Sequence, residues 1–219
     1  MDKLRLRFKK TGRAIYISHL DLMHTFQRAF SRAGLQLKYS EGFNPHPQIA
    51  IALPLSVGAS SVCEIMDFRL ISDTELSLLP GRLNAALPEG IEVLEAYESE
   101  VKASKIKWLR IDGVFEYDAR PLDETEKKLK EFFSADSIEI EKKTKRGTGI
   151  SDIKPGIREI SFIKEEGFIR VNALLSAMEP TINPELLNSA LRQLAPDLAP
   201  DFAKFTRVEV YDEDMRVFR

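Results

Sequence analysis

Three histidines are the side chains of this 219-residue chain that ordinarily titrate near neutral pH, and two of them stand in its densest polar segments. His19 lies in Ser18-His19-Leu20-Asp21, where a hydroxyl, an imidazole and a carboxylate fall within four residues. His46 lies in Lys38-Tyr39-Ser40-Glu41-Gly42-Phe43-Asn44-Pro45-His46-Pro47. An imidazole acid and an imidazole base suit attack by a ribose 2′-hydroxyl, which makes His19, Asp21 and His46 the catalytic candidates of an enzyme reading. Metal binding fits less well. His19 and His24 fall about 140° apart round a helix, so they do not converge as an i, i+4 pair does, and no metal site is expected.

The second segment also reads as a recognition loop. Gly42 admits a positive φ, and each proline drives the residue before it, Asn44 or His46, toward an extended conformation. Such a loop is stiff and loses little entropy when it binds a ligand. The same residues also suit a purely local role, with Phe43 plugging the core and Asn44 capping a turn, and both readings stand at this point. Basic clusters add a third set. Lys142, Lys143, Lys145 and Arg146 run into Gly147-Thr148-Gly149, and Lys102, Lys105, Lys107 and Arg110 flank Trp108. With Arg5 and Arg7 they would track a phosphate backbone, using Phe43 or Trp108 as a stacking surface; the plainer alternative is a solvated charged face. Phosphate-loop, dinucleotide, nucleophile-elbow, HExxH and iron–sulfur cysteine motifs are absent from the sequence, so no cofactor is expected.

These residues need a scaffold, and the bulk numbers describe an ordinary globular one: 43% hydrophobic, 30% charged, one cysteine, Cys63. No apolar run approaches the roughly 20 residues of a membrane helix and the N-terminus lacks a signal peptide's apolar segment, so a cytoplasmic protein is expected. Net charge is −2, but residues 1–40 hold nine basic residues against two acids, a net of +7, and residues 41–100 hold ten acids against Arg69 and Arg82, a net of −8. That segregation predicts one positive and one negative face.

Alternation in residues 4–9, LRLRFK, predicts a strand with a basic outward face. Ser18 and Asp21 predict a capped helix whose core face is Met23, Phe26, Phe30 and Ala33, stopped by Gly34. Strands follow at 35–39, 48–53 and 62–70, a helix at 74–86 with an interruption near Pro80-Gly81, and a strand at 91–97. The second half repeats that order, with strands at 108–117, 137–143, 157–163, 168–175 and 205–212 and helices at 123–133 and 184–194. The expectation is an α+β protein of two tandem ferredoxin-like β-α-β-β-α-β units, each with an extra strand, in mostly antiparallel sheets with helices on one face. The units would span residues 1–100, carrying SHLD and YSEGFNPHP, and 101–219, carrying a basic loop at 142–156.

LRLRFKK, SHLD and YSEGFNPHP in that order, with DIKPGI at 152–157, resemble the bacterial radical-SAM-linked proteins, a family also found fused to the C-terminus of large cobalamin-binding radical SAM proteins. The resemblance is specific over residues 4–70 and departs at His24, where the family commonly has arginine. It implies a functional surface of His19, Asp21, Ser40, Gly42, Phe43, Asn44, His46 and Pro47, joined in the second half by Asp152, Lys154 and Pro155; the neighbouring Ser18 and Tyr39 are counted among the expected RNA- or substrate-binding residues. It also implies a radical SAM protein as partner. The leading expectation is therefore a non-catalytic accessory protein that binds tRNA or rRNA, or presents another substrate, to that enzyme. The alternatives are a metal-independent endoribonuclease or RNA-modifying enzyme using His19 and His46, and a protein-docking module whose acidic 41–100 segment meets a basic partner.

Overall fold

Leu4, Leu6 and Phe8 alternate along strand β1 (Leu4–Lys10) and face helix α1 (His19–Arg32) in the computed structural model, which describes residues 4–99, 101–144 and 147–219, with Lys143 and Thr144 as backbone only. The chain divides into two compact units: one runs to Lys105 and includes Arg219, and the other is Ile106–Phe218.

In the first unit Ser18 begins α1 as its spacing predicts. The Asp21 N–H donates to Ser18 Oγ at 3.2 Å, and the Ser18 hydroxyl donates to Asp21 Oδ2 at 2.7 Å. The buried face is Leu22, Phe26, Ala29 and Phe30; Met23 and Ala33 sit at its margin rather than in it. Phe26 meets Phe8 edge-on at 4.8 Å between ring centroids, and Phe30 lies 5.1 Å from Phe68. Strands β2 (Ile49–Ile51), β3 (Ser60–Phe68) and β4 (Ile91–Glu98) complete an antiparallel sheet in the order β4-β1-β3-β2. Helix α2 (Leu79–Asn84) adds Leu79 and Leu83 to the cluster formed by α1, Leu6, Phe8, Met66 and Phe68, so both helices cover one face.

Two elements differ from expectation. Residues 35–39 form no strand: they make single bridges, Leu37 to Leu70 and Tyr39 to Pro47, with segments beyond the ends of β3 and β2, where no ladder can propagate. The helix expected at 74–86 is a short turn over Leu76–Leu78 followed by α2, which carries Pro80 in its first turn, where proline is tolerated.

The second unit contains β5 (Trp108–Glu116), α3 (Leu122–Ser134), β6 (Glu139–Thr144), β7 (Gly147–Asp152), β8 (Ile157–Lys164), β9 (Phe168–Ser176), α4 (Glu185–Leu194) and β10 (Phe202–Tyr211). Its main sheet, β10-β5-β9-β8, is antiparallel, and β6-β7 form a separate hairpin. Thus neither unit carries the single added strand expected of it. Among the described residues the first has none, and the second has two, off the main ladder, which turn much of the expected basic loop into strand. Both units insert their extra chain at one topological position, between the first helix and the strand that follows it. Among the described residues the architecture is mixed α+β with four α-helices, and no helix is long and apolar enough to cross a membrane.

Candidate nucleic-acid interface

The insertion in the first unit is a closed ring. Ser40 N–H donates to His46 O at 2.9 Å, and His46 N–H donates to Ser40 Oγ at 3.1 Å. His46 Nδ1 lies 3.0 Å from Ser40 Oγ and 3.3 Å from the Asn44 carbonyl. Its base is tied by Gln48 N–H to Lys38 O and Gln48 Nε2 to Tyr39 O. Gly42 turns the ring at φ +120°, a conformation that strains any residue with a Cβ. Phe43 is thereby held at the tip, fully exposed, and Tyr39 is half exposed at the base. Phe43 is no core plug. Asn44 and His46 are exposed beside it, and Ser40 and Pro47 are partly covered.

Two cations that sequence reasoning left out of the site flank this ring. Lys38 N–H donates to Arg69 O, and Arg69 N–H to Gln48 O, which brings both residues to the loop's base. Both are exposed, and among the described residues neither side chain has an ion pair. Arg69 sits 35 positions beyond Gly34 in an acidic stretch, so only the pairing of 36–38 with 69–71 reveals it.

SHLD occupies the other end of the unit. Strand β1 runs from Leu4, beside Phe68, to Lys10, beside Ser61. Phe26 packs on Phe8 and Phe30 on Phe68, so α1 begins near the Lys10 end and finishes near Phe68, where the ring is rooted. The 14 residues of α1 span about 20 Å, so His19 and His46 cannot serve one ribose as acid and base. His19, Asp21 and His24 are exposed. Their segment is anchored by Lys10, whose buried ammonium donates to Ile15 O at 3.1 Å and Ile17 O at 2.8 Å. Burial holds that ammonium below the usual lysine range, against the opposing pull of Glu64. Among the described residues no three His, Cys, Asp or Glu side chains gather to hold a metal ion.

The outward face of β1 does not present free charge. Arg5 is fully buried and donates to Asp67 Oδ1 at 2.7 Å; Arg7 pairs with Glu95 and Lys9 with Glu92. Since β1 lies between β3 and β4, Arg5, Arg7 and Lys9 of the basic block meet Asp67, Glu95 and Glu92 of the acidic block inside a single sheet.

In the second unit Asp152 and Lys154 brace the hairpin. Asp152 Oδ1 accepts from Ile138 N–H and Lys154 N–H, each at 2.9 Å, and those bonds hold its carboxyl below the usual aspartate range. Lys154 Nζ donates to Phe133 O at the end of α3. After Pro155, Gly156 admits a close approach: a Cβ there would lie 2.3 Å from Ile182 Cγ1. A depressed aspartate contributes stability that is present at neutral pH and lost as pH falls through its folded-state pKa. Asp152→Asn is therefore expected to flatten part of the acid limb of stability against pH, below about pH 4, in urea melts of the two proteins. Of the basic cluster, Lys142 is partly exposed, while Lys145, Arg146 and the Lys143 side chain lie outside the described residues. Trp108 has Arg158 stacked over its ring at 5.2 Å, and Arg110 pairs with Glu159.

The family model described as an uncharacterized protein conserved in bacteria, DUF2344, matches residues 3–184. The chain belongs to that family. The DUF2344 match takes in SHLD, the ring and the DIKPG element, and ends at the residue before α4. No curated protein matches the chain. Among solved structures, a chain in the crystal structure of a Cbf5-Nop10-Gar1 complex is similar over 96% of this chain, with 12% identity and a TM-score of 0.52. This chain spans 50% of that one, and the likeness at such identity is one of fold. An unknown protein from Galdieria sulphuraria aligns over 96% of this chain and 98% of its own at 10% identity, with a TM-score of 0.27.

Proposed function

We propose that the chain is a non-catalytic RNA-binding module, acting in the cytoplasm, that presents tRNA or rRNA to a radical SAM enzyme. The observation that carries the RNA reading is Phe43, wholly exposed on a ring tied by its own hydrogen bonds, with Lys38 and Arg69 at the base and without an ion pair among the described residues. An exposed aromatic that no core contact requires offers a face to an unstacked base, and two nearby cations offer contacts to the adjoining phosphates. Preorganisation matters here, because the ring has little freedom left to lose on binding. The enzyme partner rests on the resemblance carried by SHLD and YSEGFNPHP, and the iron–sulfur chemistry would be the partner's. We read each unit as a ferredoxin-like variant, supported by the antiparallel orders β4-β1-β3-β2 and β10-β5-β9-β8, which place corresponding strands alike.

Affinity for a single-stranded oligoribonucleotide across a salt series tests the reading. Each phosphate neutralised on a single strand contributes about −0.7 to the slope of log K against log salt, so the Lys38→Gln, Arg69→Gln double variant should flatten the slope by about 1.4. No binding at low salt, or a slope that the double variant leaves unchanged, sinks the proposal.

A further inference from the structure

The hairpin β6-β7 has two outer edges, and the chain treats them differently. On the β6 side Glu141 N–H donates to Gln193 Oε1 at 2.7 Å, and Gln193 Nε2 donates to Glu141 O at 3.2 Å. The carboxamide stands where a neighbouring strand's peptide group would stand and closes that edge. Glu141 faces Ile150 in the ladder. In an antiparallel pair, a residue whose N–H and C=O point outward faces one whose own groups point outward on the far side. Ile150 therefore turns its N–H and C=O away from β6, and so does Thr148, two residues earlier. Among the described residues none of these groups has a partner. The edge also lacks the usual protection by lysine or proline: Ile150 is 75% exposed, and Gly147 and Gly149 are exposed beside it. Glycine inside a strand is a place where another backbone can come close.

We infer that β7 accepts an added strand from a partner protein, an extended segment in which acidic and apolar residues alternate, hydrogen-bonded to the main chain of Thr148 and Ile150. The residue seated beside Ile150 shares its face, which continues over a cleft of about 640 Å³ toward Leu194, so that residue is apolar. The residue seated beside Gly149 shares the face of Lys142, which pairs across from Gly149 and has no ion pair among the described residues. With no side chain on Gly149 between them, a carboxylate at that position reaches the Lys142 ammonium. This site belongs to the second unit and stands apart from the RNA reading of the ring.

Fluorescence anisotropy of the full chain with a labelled peptide of alternating valine and glutamate, and with its valine–lysine counterpart, tests the inference. The glutamate peptide should bind several-fold tighter. Ile150→Pro removes an outward donor without touching the β6 ladder, and should weaken that binding by about tenfold or more. Lys142→Glu should reverse the preference between the two peptides, a result that does not depend on how proline is accommodated. In the wild-type chain the Thr148 and Ile150 amide resonances should shift on titration. The inference is overturned by an absence of binding at about 1 mM peptide, the weak end of specific recognition. Equal affinity in Ile150→Pro, or an unchanged preference in Lys142→Glu, overturns it as well. Self-association that Ile150→Pro abolishes would assign the edge to a second copy and likewise end it.

Discussion

Phe43→Ala is expected to weaken binding of single-stranded RNA by roughly 5- to 150-fold, from about 1–3 kcal/mol for each base stacked on an aromatic ring. The same variant should unfold in urea at the wild-type midpoint, because Phe43 contributes no buried surface. Phe43→Tyr should keep most of the affinity, since it preserves the flat ring. This pattern separates recognition from folding: a fall in affinity together with a fall in midpoint would mean that the side chain supports the ring instead of a ligand, and unchanged affinity would remove Phe43 from the interface.

Phe26→Ala should do the opposite. Phe26 is fully buried between α1 and β1 and meets Phe8 edge-on, so removing its ring should destabilise the protein by about 3–5 kcal/mol, transfer and cavity terms together. Against a typical stability of about 5–15 kcal/mol that is a large share, and the urea midpoint should fall accordingly. RNA affinity measured well below the new midpoint should be nearly unchanged, because the ring is rooted at the Phe68 end and does not touch Phe26. A loss of less than about 1 kcal/mol would contradict the packing described for this core.

Local signals were the most legible part of the fold. Ser18 and Asp21 are three residues apart and bond reciprocally, and the alternation in β1 puts Leu6 and Phe8 in the core. Where a segment's fate depends on distant partners, sequence reading failed for a physical reason. LQLKY has a strand's composition, but its neighbours are the frayed ends of β2 and β3, and composition cannot report that. Gly147-Thr148-Gly149 has a loop's composition, yet forms strand because Asp152 ties the end of β7 to Ile138, just before β6, and so holds the two strands in register. The core face of α1 came out one position late at Met23, since neighbouring apolar residues Leu22 and Met23 fit nearly the same stripe.

Of the candidate interface, the stiffness of the ring and the identity of its aromatic could be read directly. Its neighbours could not. Lys38 and Arg69 meet only through pairing across some thirty residues, and SHLD lies at the opposite end because α1 carries the chain the full depth of the unit. Charge misled most. The +7 and −8 blocks suggested two faces, but Arg5, Arg7 and Lys9 lie on the strand flanked by Asp67, Glu92 and Glu95.

That cross-strand cancellation has a kinetic consequence. With the strongest basic strand silenced and the +7 and −8 of residues 1–100 summing to −1, the first unit sends out little attractive field beyond a Debye length of about 8–10 Å. An anionic polymer would then meet the ring by ordinary diffusion, at roughly the 10⁵–10⁶ M⁻¹s⁻¹ of unsteered association. Discrimination among RNAs would be written in how long each stays, a clock set by Phe43 and its neighbours.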